Sequence, residues 1–258
     1  MQRELVTVKD AVFAYQTQRV LNGANLSICK GDYLGLIGPN GSSKSTLLKL
    51  MLGVLKLQGG SITLFDAPVD QFCDWGKIGY VAQNANQVNQ AFPATVEEIV
   101  KIGLYPNLGW LKRTTDAHRK RVAEVLDIVE MSHLKHRLIG NLSGGQRQKV
   151  FIARALVSSP EIIFLDEPTV GIDAASQIKF YDLLDKLNAH MGVTIVMVSH
   201  DIGIVSEKVT KIACMENGRV YMHDACCALP VATFIEQFYG DKMHLMKHHH
   251  HTVQLERG

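Results

Sequence analysis

The chain has 258 residues, of which 47% are apolar and 20% charged, and a formal net charge of +2. This composition suits one large core, with or without a subdomain, and excludes a disordered or fibrous chain. The small net charge gives no support for a nucleic-acid partner, and no apolar run approaches the ~20 residues that cross a bilayer. The N-terminal MQRELVTVKD has no signal-like apolar segment, so a cytosolic protein is expected. Five cysteines, scattered except for Cys226 and Cys227, point to reduced thiols rather than a disulfide framework.

In chain order, LVTVKDAVFAY alternates loosely, as a strand does, and ANLSICKGDYLGLIG contains the apolar run Tyr33–Ile37, which reads as a buried strand. STLLKLMLGVL then places Leu47, Leu48, Leu50, Met51, Val54 and Leu55 at helical spacing, with Gly59 and Gly60 as the expected stop. SITLF forms the next strand. Thr95, Val96, Glu97 and Glu98 make a capping-box pattern at the start of a helix, and Val122, Val125, Leu126 and Val129 share one face of another. The basic run Lys112, Arg113, Arg119, Lys120 and Arg121 reads as the solvated face of that helix. A helix through KVFIARALV ends before Pro160, and the strand EIIFLD, the helix ASQIKFYDLLDKLNAH and the strand VTIVMVSH follow. Apolar strands separated by helices indicate a parallel sheet covered on both faces.

The loop between the Tyr33–Ile37 strand and its helix is GPNGSSKST. A strand, a glycine loop and a helix form a phosphate-binding unit, because successive backbone N–H groups and the helix's positive end converge on one concavity. Gly38 and Gly41, flanking Pro39 and Asn40, supply the backbone freedom. Lys44 is placed to bridge two phosphates, Ser45 to ligate Mg²⁺ and Thr46 to reach a third phosphate. Ser42 completes the loop, and Ser43 stands where the pattern has glycine. If its φ lies near about −60°, a serine there is harmless and its N–H still donates, and this is the expected conformation.

Two further motifs extend the site. IIFLDEP ends an apolar strand in two acids: Asp166 can hold Mg²⁺ through water, and Glu167 can polarise an attacking water. LSGGQ sets Ser143, Gly144, Gly145 and Gln146 at a helix start, a second anion cradle in the same chain. Two such cradles suit a head-to-tail dimer in which each closes on the partner's terminal phosphate.

In this order, with Tyr15, Gln83 in YVAQN, the stretch GIDAAS and His200 in VSHD, the motifs resemble those of the ATP-binding subunits of ABC transporters. The resemblance implies an α/β fold of the P-loop NTPase type: a mostly parallel core sheet flanked by helices, with an N-terminal antiparallel β subdomain and an inserted helical subdomain. It covers residues 1–225, read as a β and phosphate-loop part (1–84), a helical part with the second cradle (85–150) and a switch core (151–225); residues 226–258 form an extension. It also implies ATP and Mg²⁺ as ligands and a homodimer on ATP binding. Tyr15 would stack on adenine, and Gln83 would complete the Mg²⁺ shell beside Ser45 and Asp166. Asp173 would cross the dimer interface, and Glu167 and His200 would position the water. Residues 84–92, with Tyr105 and Trp110, are candidates for a groove that meets a membrane partner.

HLKHRLIGN, before LSGGQ, does not match the corresponding segment of ABC exporters, and no membrane domain is fused to the chain, so an importer with separate subunits is expected. FPATVEEIVKIGLYP and VEMSHLKHRLIGNLSGGQRQK are similar to the ATPases of zinc and manganese importers, some of which also carry a small residue before the loop lysine. The partners implied are a transmembrane permease and, indirectly, an extracytoplasmic metal-binding protein, with the ATPase on the inner face of the membrane. Alternatives are a manganese or iron-chelate importer, a soluble ABC ATPase outside transport, and a regulatory subunit that binds ATP without turning it over.

His223, Cys226, Cys227, His244 and the histidines at 248–251 are ligand types suited to zinc, against the plainer reading of a solvated tail. If they form a regulatory metal site, removal of residues 244–258 lowers the zinc stoichiometry seen in calorimetric titration. Unchanged stoichiometry excludes it.

Overall fold

The computed structural model describes residues 3–83, 92–105 and 115–224, apart from 201–204 and 206–207. Within these residues the extension, residues 84–91 and Trp110 are not included, and the expectations placed on them lie outside the described residues.

Strands β1 (Glu4–Tyr15) and β2 (Gln18–Cys29) form a long antiparallel pair, joined by β4 (Gly59–Leu64) and β5 (Ala67–Pro68) in the order β2-β1-β4-β5. Gly60 has φ +79 and crosses β1 so closely that a Cβ would lie 2.3 Å from Asp10 O. The second sheet runs β10-β9-β3-β8-β7-β6. It comprises β3 (Tyr33–Ile37), β6 (Ile78–Val81), β7 (Ile162–Asp166), β8 (Thr194–Ser199), β9 (Lys211–Glu216) and β10 (Arg219–Asp224). All its pairings are parallel except β9 with β10.

Every residue of β3, β7 and β8 is buried, as the apolar runs require. Because side chains alternate across a strand, each run feeds two cores. Leu34, Leu36, Ile162, Phe164, Val196 and Val198 face the antiparallel sheet and α1 (Lys44–Met51). Tyr33, Ile37, Ile163, Leu165, Ile195 and Met197 face the helices α2 (Val96–Ile102), α3 (Asp116–Ile128), α4 (Gly144–Leu156) and α5 (Ala174–Met191). Each fully buried large apolar side chain contributes about 1.5–3 kcal/mol, so the two faces hold the sheet between them.

The expected caps are present. Thr95 and Glu98 form a reciprocal capping box at α2. At α3, Thr115 caps with His118 in the glutamate's place. Val122, Val125, Leu126 and Val129 are all buried, while Arg119 and Lys120 are exposed; Arg121 departs from the expected solvated face, half-buried with its Nη2 donating to Leu156 O at 3.2 Å, and Lys112 and Arg113 lie outside the described residues. The helix after the phosphate loop is shorter than its apolar spacing suggests. It ends at Met51, because Gly53 takes φ +66 and returns its N–H to Leu50 O while Val54 N–H reaches Lys49 O. This is a Schellman stop. Val54 is consequently exposed rather than part of the helix face, and Gly59 and Gly60 open β4.

Gly103, just after α2, sits against α4. It has an ordinary right-handed helical conformation, yet a Cβ there would lie 1.9 Å from Arg154 O and 2.7 Å from Val157 Cγ1. Glycine is therefore required for space, not for φ. Gly103→Ala is expected to lower unfolding stability by about 2–3 kcal/mol, measured by denaturant unfolding, because neither backbone can yield without repacking the helical layer.

Candidate functional site

The C-terminal ends of β3, β7 and β8 lie on one edge of the sheet, because these strands run parallel in adjacent positions. The edge therefore gathers the loop of residues 38–43, the acids Asp166 and Glu167, and His200. Ligands in open parallel sheets bind at this edge.

The loop curls back on its own cation. Lys44 is buried, and its Nζ donates to Gly38 O at 2.7 Å and Pro39 O at 3.0 Å. Burial lowers the ammonium pKa, while the carboxylates of Glu167 and Asp166 act to raise it. Gly38 is needed for close approach, since a Cβ would lie 2.6 Å from Met215 O, and Gly41 takes φ +81. Among the described residues, the hydrogen-bond partners of this buried cation are neutral carbonyls. A phosphate would supply the anionic acceptor they do not, so the residues fit a nucleotide.

Ser43 differs from expectation. Its φ is +74 and ψ +24, in the left-handed region rather than near −60°, and its side chain makes no capping hydrogen bond to α1. The loop's curl demands the conformation that glycine ordinarily supplies, so the Cβ of Ser43 is carried at a steric cost of about 1–2 kcal/mol. Ser43 is still the N-cap residue of α1, and it lines the cleft beside the loop.

Ser45 Oγ donates to Asp166 Oδ1 at 3.0 Å, which sets a hydroxyl and a carboxylate where a divalent cation could be shared. Burial raises the Asp166 pKa, opposed by the hydrogen bond from Ser45. Glu167 follows with φ +46, its N–H donating to Val198 O at 3.0 Å. Its Oε2 accepts from Gln83 Nε2 at 2.8 Å and lies 3.8 Å from His200 Nδ1, beyond a direct hydrogen bond. One carboxylate is thus faced by both an amide and an imidazole.

A cleft of about 380 Å³ runs along the loop, lined by Tyr15, Gln18, Val20, Asn40, Gly41, Ser43, Lys44, Ser45, Thr46 and Glu167. That is the size of a small-molecule site. Tyr15 stands edge-on to Phe13 at 4.9 Å between centroids, with its hydroxyl 3.4 Å from Thr46 Oγ1. Gln18 and Val20 were not singled out in the sequence; their signal is only their position, immediately after Tyr15 on the next strand.

The second cradle is built at a separate place. Ser143 caps α4: its hydroxyl accepts from Gln146 N–H at 3.2 Å and Gln146 Oε1 accepts from Ser143 N–H at 3.0 Å. Neither these residues nor Asp173, the N-cap of α5, line the cleft beside Lys44. Phe92 and Tyr105 are exposed. Among the described residues no cluster of three or more His, Cys, Asp or Glu side chains could hold a metal ion; His223 is buried on β10. Cys29, Cys73 and Cys214 form no disulfide.

The chain is similar over most of its length to known ATP-binding proteins. The family model described as ABC transporter matches residues 21–170. A zinc uptake system ATP-binding protein, ZurA of Listeria monocytogenes, is 46% identical over 210 residues, 81% of this chain and 82% of that protein. The high-affinity zinc uptake system ATP-binding protein ZnuC of Bacillus subtilis is 42% identical, covering 83% and 92%. The manganese transport system ATP-binding protein MntB of L. monocytogenes is 43% identical, covering 75% and 79%. Among solved structures, cbiO1 of Clostridium perfringens, part of the cbiONQ transporter complex, superposes with a TM-score of 0.79 at 31% identity, covering 95% of this chain and 96% of that one. The dimeric cassette MJ0796, bound to ADP and Pi, gives a TM-score of 0.72 at 30% identity, covering 85% and 98%.

Ser43→Gly removes the left-handed strain but adds glycine's entropy to the unfolded chain, so a net stabilisation of about 0.5–1 kcal/mol is expected. Thermal unfolding should show a rise of about 2–4 °C or less. An unchanged or lowered Tm would mean that the serine makes compensating contacts.

Proposed function

The chain belongs to the ABC transporter family, and on that premise we propose that it is the ATP-hydrolysing subunit of a zinc importer, joined to separate membrane-spanning permease subunits. It binds ATP and is an ATPase, like the family. Among the described residues no helix is long and apolar enough to cross a membrane. Attachment to the membrane's inner face then comes through the permease, and an extracytoplasmic protein delivers the metal to it.

The observation that carries the reading is Glu167, held beside the loop of Lys44 and faced by both Gln83 and His200. In this arrangement the N–H groups of residues 41–46 and the Lys44 ammonium hold the phosphates of ATP, while Tyr15 stacks on the base. Lys44 exchanges its two carbonyl partners for phosphate oxygens. Ser45, Gln83 and Asp166 would hold Mg²⁺, which neutralises charge on the phosphates when bound. Glu167 accepts a proton from the attacking water, and His200 hydrogen-bonds the terminal phosphate and orients that water. Ser143, Gly144, Gly145 and Gln146 of a second subunit close over the same phosphate, with Asp173 at the seam. ATP thus favours the closed pair, and hydrolysis releases it.

Zinc is preferred over manganese because a zinc uptake protein matches at 46% identity over 81% of this chain, whereas the manganese protein matches at 43% over 75%. The ATPase does not touch the metal, so the choice is tested by transport. Glu167→Gln should reduce ATP turnover by at least about 10²-fold while leaving ATP binding intact, read by phosphate release and equilibrium binding. In cells that depend on this chain, the same substitution should abolish zinc uptake in a mixture of Zn²⁺ and Mn²⁺. Loss of manganese uptake alone would instead assign a manganese importer.

A further inference from the structure

The turn that leaves the catalytic acid runs directly to the helix beside the second cradle. Residues 167–173 fold into two short turns, with Val170 N–H reaching Glu167 O at 3.4 Å and Ile172 N–H reaching Thr169 O at 3.3 Å. One side chain staples both. Gln177 Nε2, on the first turn of α5, donates to Thr169 O at 3.4 Å and to Ile172 O at 3.0 Å. The segment is anchored at its start as well, by the Glu167 N–H on Val198 O, and at its end, where Asp173 Oδ1 accepts from Ser176 N–H at 2.9 Å.

On its outer side the same segment presses on the cradle. A Cβ on Gly145 would lie 2.8 Å from Ser176 Cβ, and one on Gly144 would lie 3.2 Å from Gly171 O. The two helix starts, of α4 and α5, therefore touch at a contact that only glycine permits. Such a contact is stiff: neither partner can shift by a few tenths of an ångström without moving the other. The cradle's glycines thus serve its packing against residues 171–176 as well as any ligand.

Building on the proposed function, in which Glu167 serves the ATP of its own subunit and the cradle serves that of its partner, we infer that Gln177 is a positioning residue that couples the two. By stapling the turn between Glu167 and Ser176, it makes the acid and the cradle move as one body. Closure of the cradle on the distant nucleotide then sets the position of the acid at the near one. Gln177 does not line the cleft beside Lys44, and no motif in the sequence marks it.

The test compares Gln177→Ala in the full chain with the unaltered protein, with Gln177→Glu as a second variant that keeps the side chain's length but loses the donor. Three quantities are read: ATP affinity of the single chain by equilibrium binding, steady-state turnover, and the Hill coefficient of turnover against ATP concentration. ATP affinity should be unchanged, turnover should fall about tenfold, and the Hill coefficient should drop from above 1 to about 1. Turnover and Hill coefficient equal to those of the unaltered chain would overturn the inference. So would a parallel loss of affinity and turnover, which marks a general structural defect rather than lost coupling. An unaltered chain that binds ATP but shows no turnover overturns the proposed function itself, and the inference with it.

Discussion

Three adjacent parallel strands, β3, β8 and β7, fix everything else in this molecule. Their in-register pairing brings Ile37 opposite Ser199 and Asp166 opposite Val198, so the loop, the acids and the imidazole emerge from one edge although the loop lies more than a hundred residues from the other two in sequence. Parallel pairing leaves both faces to be covered, and the antiparallel sheet and the helical layer cover them. If β7 slipped by one residue, Phe164 and Ile163 would exchange faces, and Asp166 would leave Ser45. The chemistry of the site is therefore held by the same register that builds the core.

Much of this was legible in the sequence, for identifiable reasons. Apolar runs too short for helices announced β3, β7 and β8, and capping pairs such as Thr95 with Glu98 announced helix starts. The spaced motifs of the loop, the acid pair and the second cradle marked the site residues, and the structure brings Tyr15, Lys44, Ser45, Gln83, Glu167 and His200 around one edge. What escaped was geometric. The early end of α1 depends on Gly53 adopting a left-handed φ, which periodicity does not register. The β9–β10 hairpin closes on Asn217 and Gly218, both at positive φ, the Asn-Gly pair that a tight hairpin turn favours. Gln177 was invisible because its role is to bond main-chain carbonyls, which leave no trace in side-chain patterns.

Ser43 shows why the conformation of one residue cannot be settled from its size. A small polar residue at a helix start is commonplace, and negative φ is its usual state. Here the preceding loop must turn its amides inward and return Lys44 onto Gly38 and Pro39, and that demand outweighs the local preference. Glu167 sits at φ +46 for a related reason: its amide is bound to Val198 while its carboxylate faces the cleft. Strain at these two positions lies beside the reacting groups, where a tightly packed surrounding can hold it.

The contact between Gly103 and Arg154 gives the helical layer a mechanical property. Arg154 lies near the far end of α4 from Ser143, about 15–18 Å along the axis at ~1.5 Å per residue. Because the end of α2 is pressed against that far end with no room for a methyl group, the exposed side chains of Ile102 and Tyr105 belong to the same closely packed layer as the start of α4. Displacement of the end of α2 would therefore be passed along α4 toward Ser143 rather than absorbed in the packing between the two helices.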